Sequence, residues 1–279
     1  MGKGGQGHAT REVLERLGLN TVCVSARCLN RGECYASQTA TFLIMGRRCT
    51  RNCRFCAVDS GPPEPLDPDE PRRLALAALE LGLRYVVITS VTRDDLPDGG
   101  AAHFAQAVRA VRSALLGAGV EVLTPDFGAQ RAPLAMVLAA CPTVFNHNLE
   151  TVARLRAAIR PQASYEVSLR TLESAGELAP QIPRKSGLML GLGESDEEVR
   201  AALGDLRAAG VSLLTLGQYV QPTRDHWPVH RYLAPDAWGQ YQAWGRELGF
   251  EHVAAGPFVR SSYRAAEGAR AAGGEGRTC

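Results

Sequence analysis

Long apolar runs are missing from this chain, and so is nearly all lysine. No stretch approaches the roughly 20 consecutive apolar residues that a membrane-spanning helix requires, which excludes a helical span. The opening residues MGKGGQGHATREVLERLGLN carry no apolar core of a secretory signal. Gln6 stands where an N-myristoylation signal needs Ser or Thr, so no lipid attachment is expected. Lysine occurs only at Lys3 and Lys185. The 31 basic residues are therefore nearly all arginine, and against 29 acidic ones they leave a net charge of +2. There is no basic stripe of the kind a nucleic-acid surface needs. No low-complexity linker or shift of composition divides the 279 residues, apart from a Gly/Ala/Arg-rich tail after Tyr263 that is expected to fray. These absences predict one domain with an N-terminal extension, cytoplasmic, with neither nucleic acid nor membrane as a partner.

Cysteine, by contrast, is concentrated. Six of the eight cysteines fall between residues 23 and 56, as CX4CX5C (Cys23, Cys28, Cys34) and CX3CX2C (Cys49, Cys53, Cys56). Disulfides are one reading, but a chain of this length with 45% hydrophobic residues buries a core without cross-links, and an intracellular setting keeps thiols reduced. Structural zinc is a second; it wants four ligands in a closed tetrahedron, and neither triplet supplies them. His226 and His230 flank Pro228, which argues against a shared helical face, and the other histidines are scattered. An iron–sulfur cubane fits better, because three thiolates leave one iron free for a non-cysteine ligand, where chemistry can occur. Cys141 and Cys279 match neither triplet: the first reads as a small core residue at a helix end, the second as a terminal thiol.

From residue 39 onward β-rich runs alternate with Ala/Leu-rich helical stretches. The strands are TATFLIMG, RYVVITSV, GVEVLTPD, TVFNHN, SGLMLGLG and SLLTLGQY, with helices over 71–81, 101–116, 165–179 and 195–209 mostly between them. Strands apolar on both faces predict a parallel sheet covered by helices, either a partial barrel or an open doubly wound sheet. Either architecture puts the ligand site at the carboxyl ends of the strands. That rule gathers the CX3CX2C loop, TSVTRDDLPDGG, TPDF, NHNLE, GLGE and QYVQPT on one rim. Taken singly, Asp94, Asp95, Asn146, Asn148 and the glycines 187, 191 and 193 also read as turn formers or helix caps.

The cysteine loop after a first strand, with Phe55 just before its last cysteine, resembles the radical S-adenosylmethionine superfamily. TVCVSARCLNRGEC, RRCTRNCRFCAV, TSVTRDDLPDGGA, FNHNLETV, KSGLMLGLGE, GQYVQPT and GPFVRSSY follow in order the pattern of the lipoyl synthases, from about Leu14 to Tyr263. The resemblance implies a partial (β/α)6 TIM-type barrel over 39–220, an N-terminal extension over 1–38 carrying an auxiliary cluster motif, and a C-terminal segment over 221–279 closing over it. It implies a [4Fe-4S] cluster on Cys49, Cys53 and Cys56 whose open iron binds S-adenosylmethionine, with Phe55, Thr89, Asn148 and Gly191 as contacts to that cofactor. Reductive cleavage would give a 5′-deoxyadenosyl radical able to take hydrogen from an unactivated carbon, which no side-chain base can do. A second [4Fe-4S] cluster, on Cys23, Cys28, Cys34 and a serine of RSSY (Ser262 by position, Ser261 the near alternative), would be sacrificed as the source of two sulfurs for carbons 6 and 8 of an octanoyl group. The implied partners are an octanoylated lipoyl carrier domain (a 2-oxo-acid dehydrogenase E2 component or the glycine cleavage H protein), an electron donor such as flavodoxin or ferredoxin, and an iron–sulfur cluster carrier. Leu29 replaces the family's usual proline, and the lead-in before Thr10 is short. Other readings are a related radical sulfurtransferase with a different substrate, and a ferredoxin-like carrier or zinc scaffold; the last two need no polar rim of six loops.

Overall fold

The computed structural model describes residues 5–25, 28, 30–36 and 39–273. The extension consists of helix α1 (Gly5–Arg16), strand β1 (Asn20–Thr21) and the short helices α2 (Val22–Ser25) and α3 (Arg31–Ala36). Then follow β2 (Thr39–Ile44), α4 (Glu70–Glu80), β3 (Tyr85–Ser90), α5 (Ala101–Ala114), β4 (Gly119–Leu123), α6 (Arg131–Leu138), β5 (Val144–Asn146), α7 (Ala153–Ile159), α8 (Tyr165–Leu178) and β6 (Arg184–Leu190). The chain ends with α9 (Asp196–Ala208), β7 (Leu213–Gln218), α10 (Ala237–Glu247), β8 (His252–Gly256) and α11 (Ala265–Ala271).

The strands form one sheet in sequence order, β1 antiparallel to β2 at one edge and β2 to β8 parallel thereafter. Among the described residues β8 does not pair back to the first edge, so the barrel stays open. Apolar runs such as YVVITS are buried almost throughout because helices cover one face and the bore closes the other. The helices start where the sequence provides caps: Ser195 and Glu198 form a reciprocal capping box on α9, and Ser164 accepts the Val167 N–H at the head of α8.

Two expectations change. The parallel run does not stop at six strands: EHVAAG adds a seventh, β8, in register with β7 from Leu213↔His252 to Gly217↔Gly256. Its signal is weak because only Val253 in it is β-branched. The tail after Tyr263 does not simply fray. Residues 265–271 form α11, and Ala265, Ala269 and Ala272 pack against Tyr85, Val87, Val144 and Leu213, the inward-facing residues at the amino ends of β3, β5 and β7. Alanines suit this place because a helix lying in a barrel bore leaves no room for longer side chains. Just above it the buried Glu121 carboxylate accepts from Lys185 Nζ at 3.0 and 3.2 Å, Asn146 Nδ2 at 3.0 Å and Tyr85 OH at 3.2 Å. One of the chain's two lysines is thus spent inside the bore. Cys141 follows α6 as a half-buried residue with φ of 62°, and Cys279 lies outside the described residues.

Candidate active site

The CX3CX2C loop leaves β2 through Met45, whose φ of 68° is a left-handed conformation that side chains rarely adopt. It is held from both sides. Buried Glu70 accepts the Met45 N–H at 2.9 Å and lies 2.7 Å from His103 Nε2, while Arg93, paired through both nitrogens with Asp95, donates to the Met45 carbonyl at 3.3 Å. A strained residue persists where its surroundings over-determine it.

Beyond Met45 the loop is sewn to its neighbours. Thr50 donates to the Thr92 carbonyl through N–H and hydroxyl, both at 3.0 Å; Arg54 N–H reaches Ile159 O at 2.9 Å, and Cys49 N–H reaches Asp59 O at 2.8 Å. Arg51 is buried between Asp94 and Asp126. Cys49 Sγ accepts N–H groups from Thr92 at 3.2 Å and Arg51 at 3.4 Å. Burial, with smaller contributions from Cys53 and Cys49, pushes the Cys56 thiol up to about 12. Cys53 is pushed up by burial and pulled back by Arg160, which bonds to it.

The first triplet is assembled the same way. Cys28 N–H reaches Cys23 O at 3.1 Å and Cys34 N–H reaches Asn30 O at 2.9 Å, and burial, with smaller contributions from Cys23 and Cys28, pushes the Cys34 thiol up to about 12. None of the six is tied in a disulfide. Among the described residues no three or more His, Cys, Asp or Glu side chains are spaced to hold a single metal ion. A cubane asks for something different, since each thiolate binds its own iron, and mutually repelling thiolates are stabilised by a cationic iron core. The donor sets fit that group.

The C-terminal RSSY segment lies against this triplet. Asn30 Nδ2 donates to the Phe258 carbonyl at 2.5 Å, Glu33 accepts from Tyr263 OH at 3.0 Å and from Arg264 at 3.3 Å, and the half-buried Arg260 feels the charge of Cys28. Ser261 is taken up by Asn148, whose Nδ2 donates to its Oγ at 2.6 Å. Ser262 is half-buried.

Inside the barrel mouth, Ser90 Oγ, Thr124 Oγ1, Asn146 Oδ1, Asn148 Oδ1 and Arg160 Nε are buried with no hydrogen-bond partner. Ser90 and Asn146 end β3 and β5, and Thr124 follows β4, so these atoms ring the carboxyl ends of the strands. Buried polar atoms are costly unless paired, and a ligand with amino, carboxylate and hydroxyl groups would pair them. Glu150, at φ of 71°, has its carboxyl raised by burial, with Arg160 and Asn148 opposing the rise.

Thr89 donates its hydroxyl to Leu123 O at 2.9 Å, and Phe55 is partly buried against the main core. Gly191 gives its N–H to Glu194 Oε1 at 2.7 Å, its carbonyl accepts from His230, and an added Cβ would meet the Arg231 carbonyl at 2.4 Å. The glycine, at φ of 99°, admits a protein strap rather than a ligand. That strap, residues 222–233, went unseen in the sequence. Trp227 donates its backbone N–H to Arg54 O at 2.8 Å and its indole N–H to Leu192 O at 2.9 Å, and His226 Nε2 lies 3.0 Å from Cys56 O. Arg51, Asp126 and Arg160 were also missed; only proximity to a cysteine could have flagged the first. A cavity of about 1240 Å³ opens between the extension and the cluster loop, lined by Leu14, Leu19, Val24, Cys53, Cys56 and His226 among others.

The sequence profile of the Radical SAM superfamily matches residues 43–206. The chain is 54% identical over 252 residues to the lipoyl synthase of Caldanaerobacter subterraneus subsp. tengcongensis, covering 90% of this chain and 88% of that one. It is 54% identical over 259 residues to the lipoyl synthase of Thermus thermophilus, covering 92% and 80%. Among solved structures it is similar to HydG, a maturase of the [FeFe]-hydrogenase, with a TM-score of 0.62 at 14% identity over 97% of this chain and 68% of that one, a likeness of fold alone.

Proposed function

Since this chain belongs to the lipoyl synthases of the radical S-adenosylmethionine superfamily, we propose that its two cysteine triplets divide the labour, one holding the cofactor cluster and the other the sulfur donor. The reaction is the insertion of two sulfur atoms at carbons 6 and 8 of an octanoyl group on a lysine of a carrier protein, with two S-adenosylmethionine molecules consumed. When bound, the Cys49–Cys53–Cys56 cluster with S-adenosylmethionine supplies one-electron hydrogen abstraction from unactivated carbon, and the Cys23–Cys28–Cys34 cluster, a substrate in this sense, supplies sulfur.

The chain's own residues do the rest. Asn148, Asn146 and Arg160 offer unpaired buried atoms that would orient the cofactor's polar ends. The 222–233 strap, pinned to Cys56 and Arg54, keeps water from the cluster loop. Ser262 is the proposed oxygen ligand of the donor cluster, because Ser261 is already engaged with Asn148. Phe55 packs beside the loop as the adenine neighbour, and Thr89 keeps its place in the proposed cofactor shell through its strand. The cavity between extension and loop is the proposed channel for the octanoyl-lysyl arm.

The observation that carries this reading is the docking of the RSSY region on the extension that bears the first triplet, through Asn30 and Glu33. An electron carrier has no use for a non-cysteine ligand delivered from the far end of the chain. The finer partners proposed are an E2 or H-protein carrier, a flavodoxin- or ferredoxin-type reductant and a cluster carrier, in the cytoplasm. Among the described residues no helix is long and apolar enough to cross a membrane. The test is anaerobic reconstitution followed by iron and sulfide analysis and incubation with an octanoyl-lysyl peptide. About eight irons per chain and a peptide gaining two sulfurs are expected; zinc without labile sulfide would end the proposal.

A further inference from the structure

Arg51 stands between two proposed cluster ligands, Cys49 and Cys53, yet its side chain turns away from the loop rim into the protein and is only 9% exposed. It is held by two carboxylates from different loops. Nε and Nη2 donate to Asp94 at 2.8 and 2.9 Å, and Nη1 and Nη2 donate to Asp126 at 2.5 and 2.9 Å. Both pairs are two-point, the geometry in which a guanidinium is most directional. Each acidic residue is itself fixed: Asp126 accepts the Gly128 N–H at 3.0 Å and its carbonyl accepts from Thr171, while the Asp94 N–H donates to Thr50 Oγ1 at 3.1 Å. The guanidinium therefore joins the loop after β2 to the loops after β3 and β4. The same stitching aims the Thr92 and Arg51 N–H groups at Cys49 Sγ.

We propose that Arg51 is the positioning residue of the cluster loop: clamped by Asp94 and Asp126, it sets the CX3CX2C cysteines in their ligating arrangement before iron arrives. This rests on the lipoyl synthase reading, in which those cysteines carry the cofactor cluster. A loop with three free thiols would otherwise have many conformations to lose when the cluster binds, and preorganisation removes that entropic cost. Lysine cannot substitute, because an ammonium lacks the fork that spans two carboxylates.

Arg51→Lys and Asp94→Asn, the latter altering only the more exposed partner, test the clamp in two readouts. Hydrogen exchange on the cluster-free full chain should show amides of residues 49–56 exchanging at least tenfold faster in Arg51→Lys, and severalfold faster in Asp94→Asn, with strands β3 to β7 unchanged. Anaerobic reconstitution should then leave Arg51→Lys with about four irons against about eight in the parent, the loss falling on the S-adenosylmethionine-responsive electron paramagnetic resonance signal. Unchanged exchange in residues 49–56 overturns the proposal, and so does faster exchange throughout the chain with a fallen melting temperature, which would assign Arg51 to general stability. The exchange arm needs no iron, so a parent chain that takes up none would refute the functional reading while leaving the clamp to be judged separately.

Discussion

Asn148 donates to Ser261 at 2.6 Å across 113 residues of sequence. The bond ties the mouth of the barrel, after β5, to the segment that reaches the N-terminal cysteines, so the two cluster regions share one hydrogen-bonded wall. It also separates the two serines of RSSY. Ser262→Ala should lose the donor cluster, with iron falling by about half and sulfur insertion abolished, whereas Ser261→Ala should keep its iron. Iron counts in the opposite order would exchange their roles.

Replacing Cys53 with Ala removes a thiolate from the cofactor cluster and should abolish 5′-deoxyadenosine formation. Cys28→Ala sits in the extension and should leave some 5′-deoxyadenosine formation while no sulfur reaches the octanoyl-lysyl peptide. Mass spectrometry of the peptide and chromatography of the nucleoside read both at once. Sulfur insertion at full yield by Cys28→Ala would remove that triplet from the donor role.

Gly191→Val should act on the fold. Its Cβ would meet the Arg231 carbonyl at 2.4 Å from a φ of 99°, so the strap must move, at a cost on the order of 2–4 kcal/mol. A melting temperature within a degree of the parent, with weakened S-adenosylmethionine binding, would restore the glycine to the cofactor site.

His147 is buried, with Nδ1 2.8 Å from Thr124 O and Nε2 3.0 Å from Ser168 Oγ. Burial pushes the imidazole down to about 4. The unfolded chain therefore takes the proton first, near its ordinary value of about 6.5, and stability falls as pH drops from there toward 4. Between pH 7.5 and 5.5 the parent should lose about 1 kcal/mol more than His147→Gln. Urea unfolding of both proteins at both pH values measures the difference; parallel losses would show that His147 is not the group that titrates.

Ala269 is fully buried where α11 meets Tyr85, Val87 and Leu213. Ala269→Leu should overpack the bore and destabilise by about 1–3 kcal/mol, while Arg270→Ala on the exposed side should stay within about 0.5 kcal/mol. Thermal melts of the two variants check it, and equal stabilities would mean that the helix is not seated in the bore.

Much of this protein is written along the chain. The cysteine spacings and the alternation of β-branched runs with alanine-rich helices determined the two triplets and a parallel sheet covered by helices, because hydrophobic periodicity and ligand spacing are local properties, while the choice of a barrel came through the order of motifs that resembles the family. The helices over 71–81, 101–116, 165–179 and 195–209 stand within a residue or two of their expected ends for the same reason.

What the tertiary structure decided are pairings between loops that follow different strands. Asp94 read as a turn former in sequence, and only strand order brings it to Arg51, whereas Asp95 pairs within its own loop with Arg93 two residues before it. Gly191 read as a cofactor contact in sequence, and only the folded chain lays the strap of residues 222–233 beside it. The alanine-rich tail becomes α11 because the bore offers it Tyr85, Val144 and Leu213, a surface that exists only once distant strands stand side by side. Such contacts depend on how far the sheet curls and on what its open edge leaves exposed, and neither is encoded in the neighbours of any single residue.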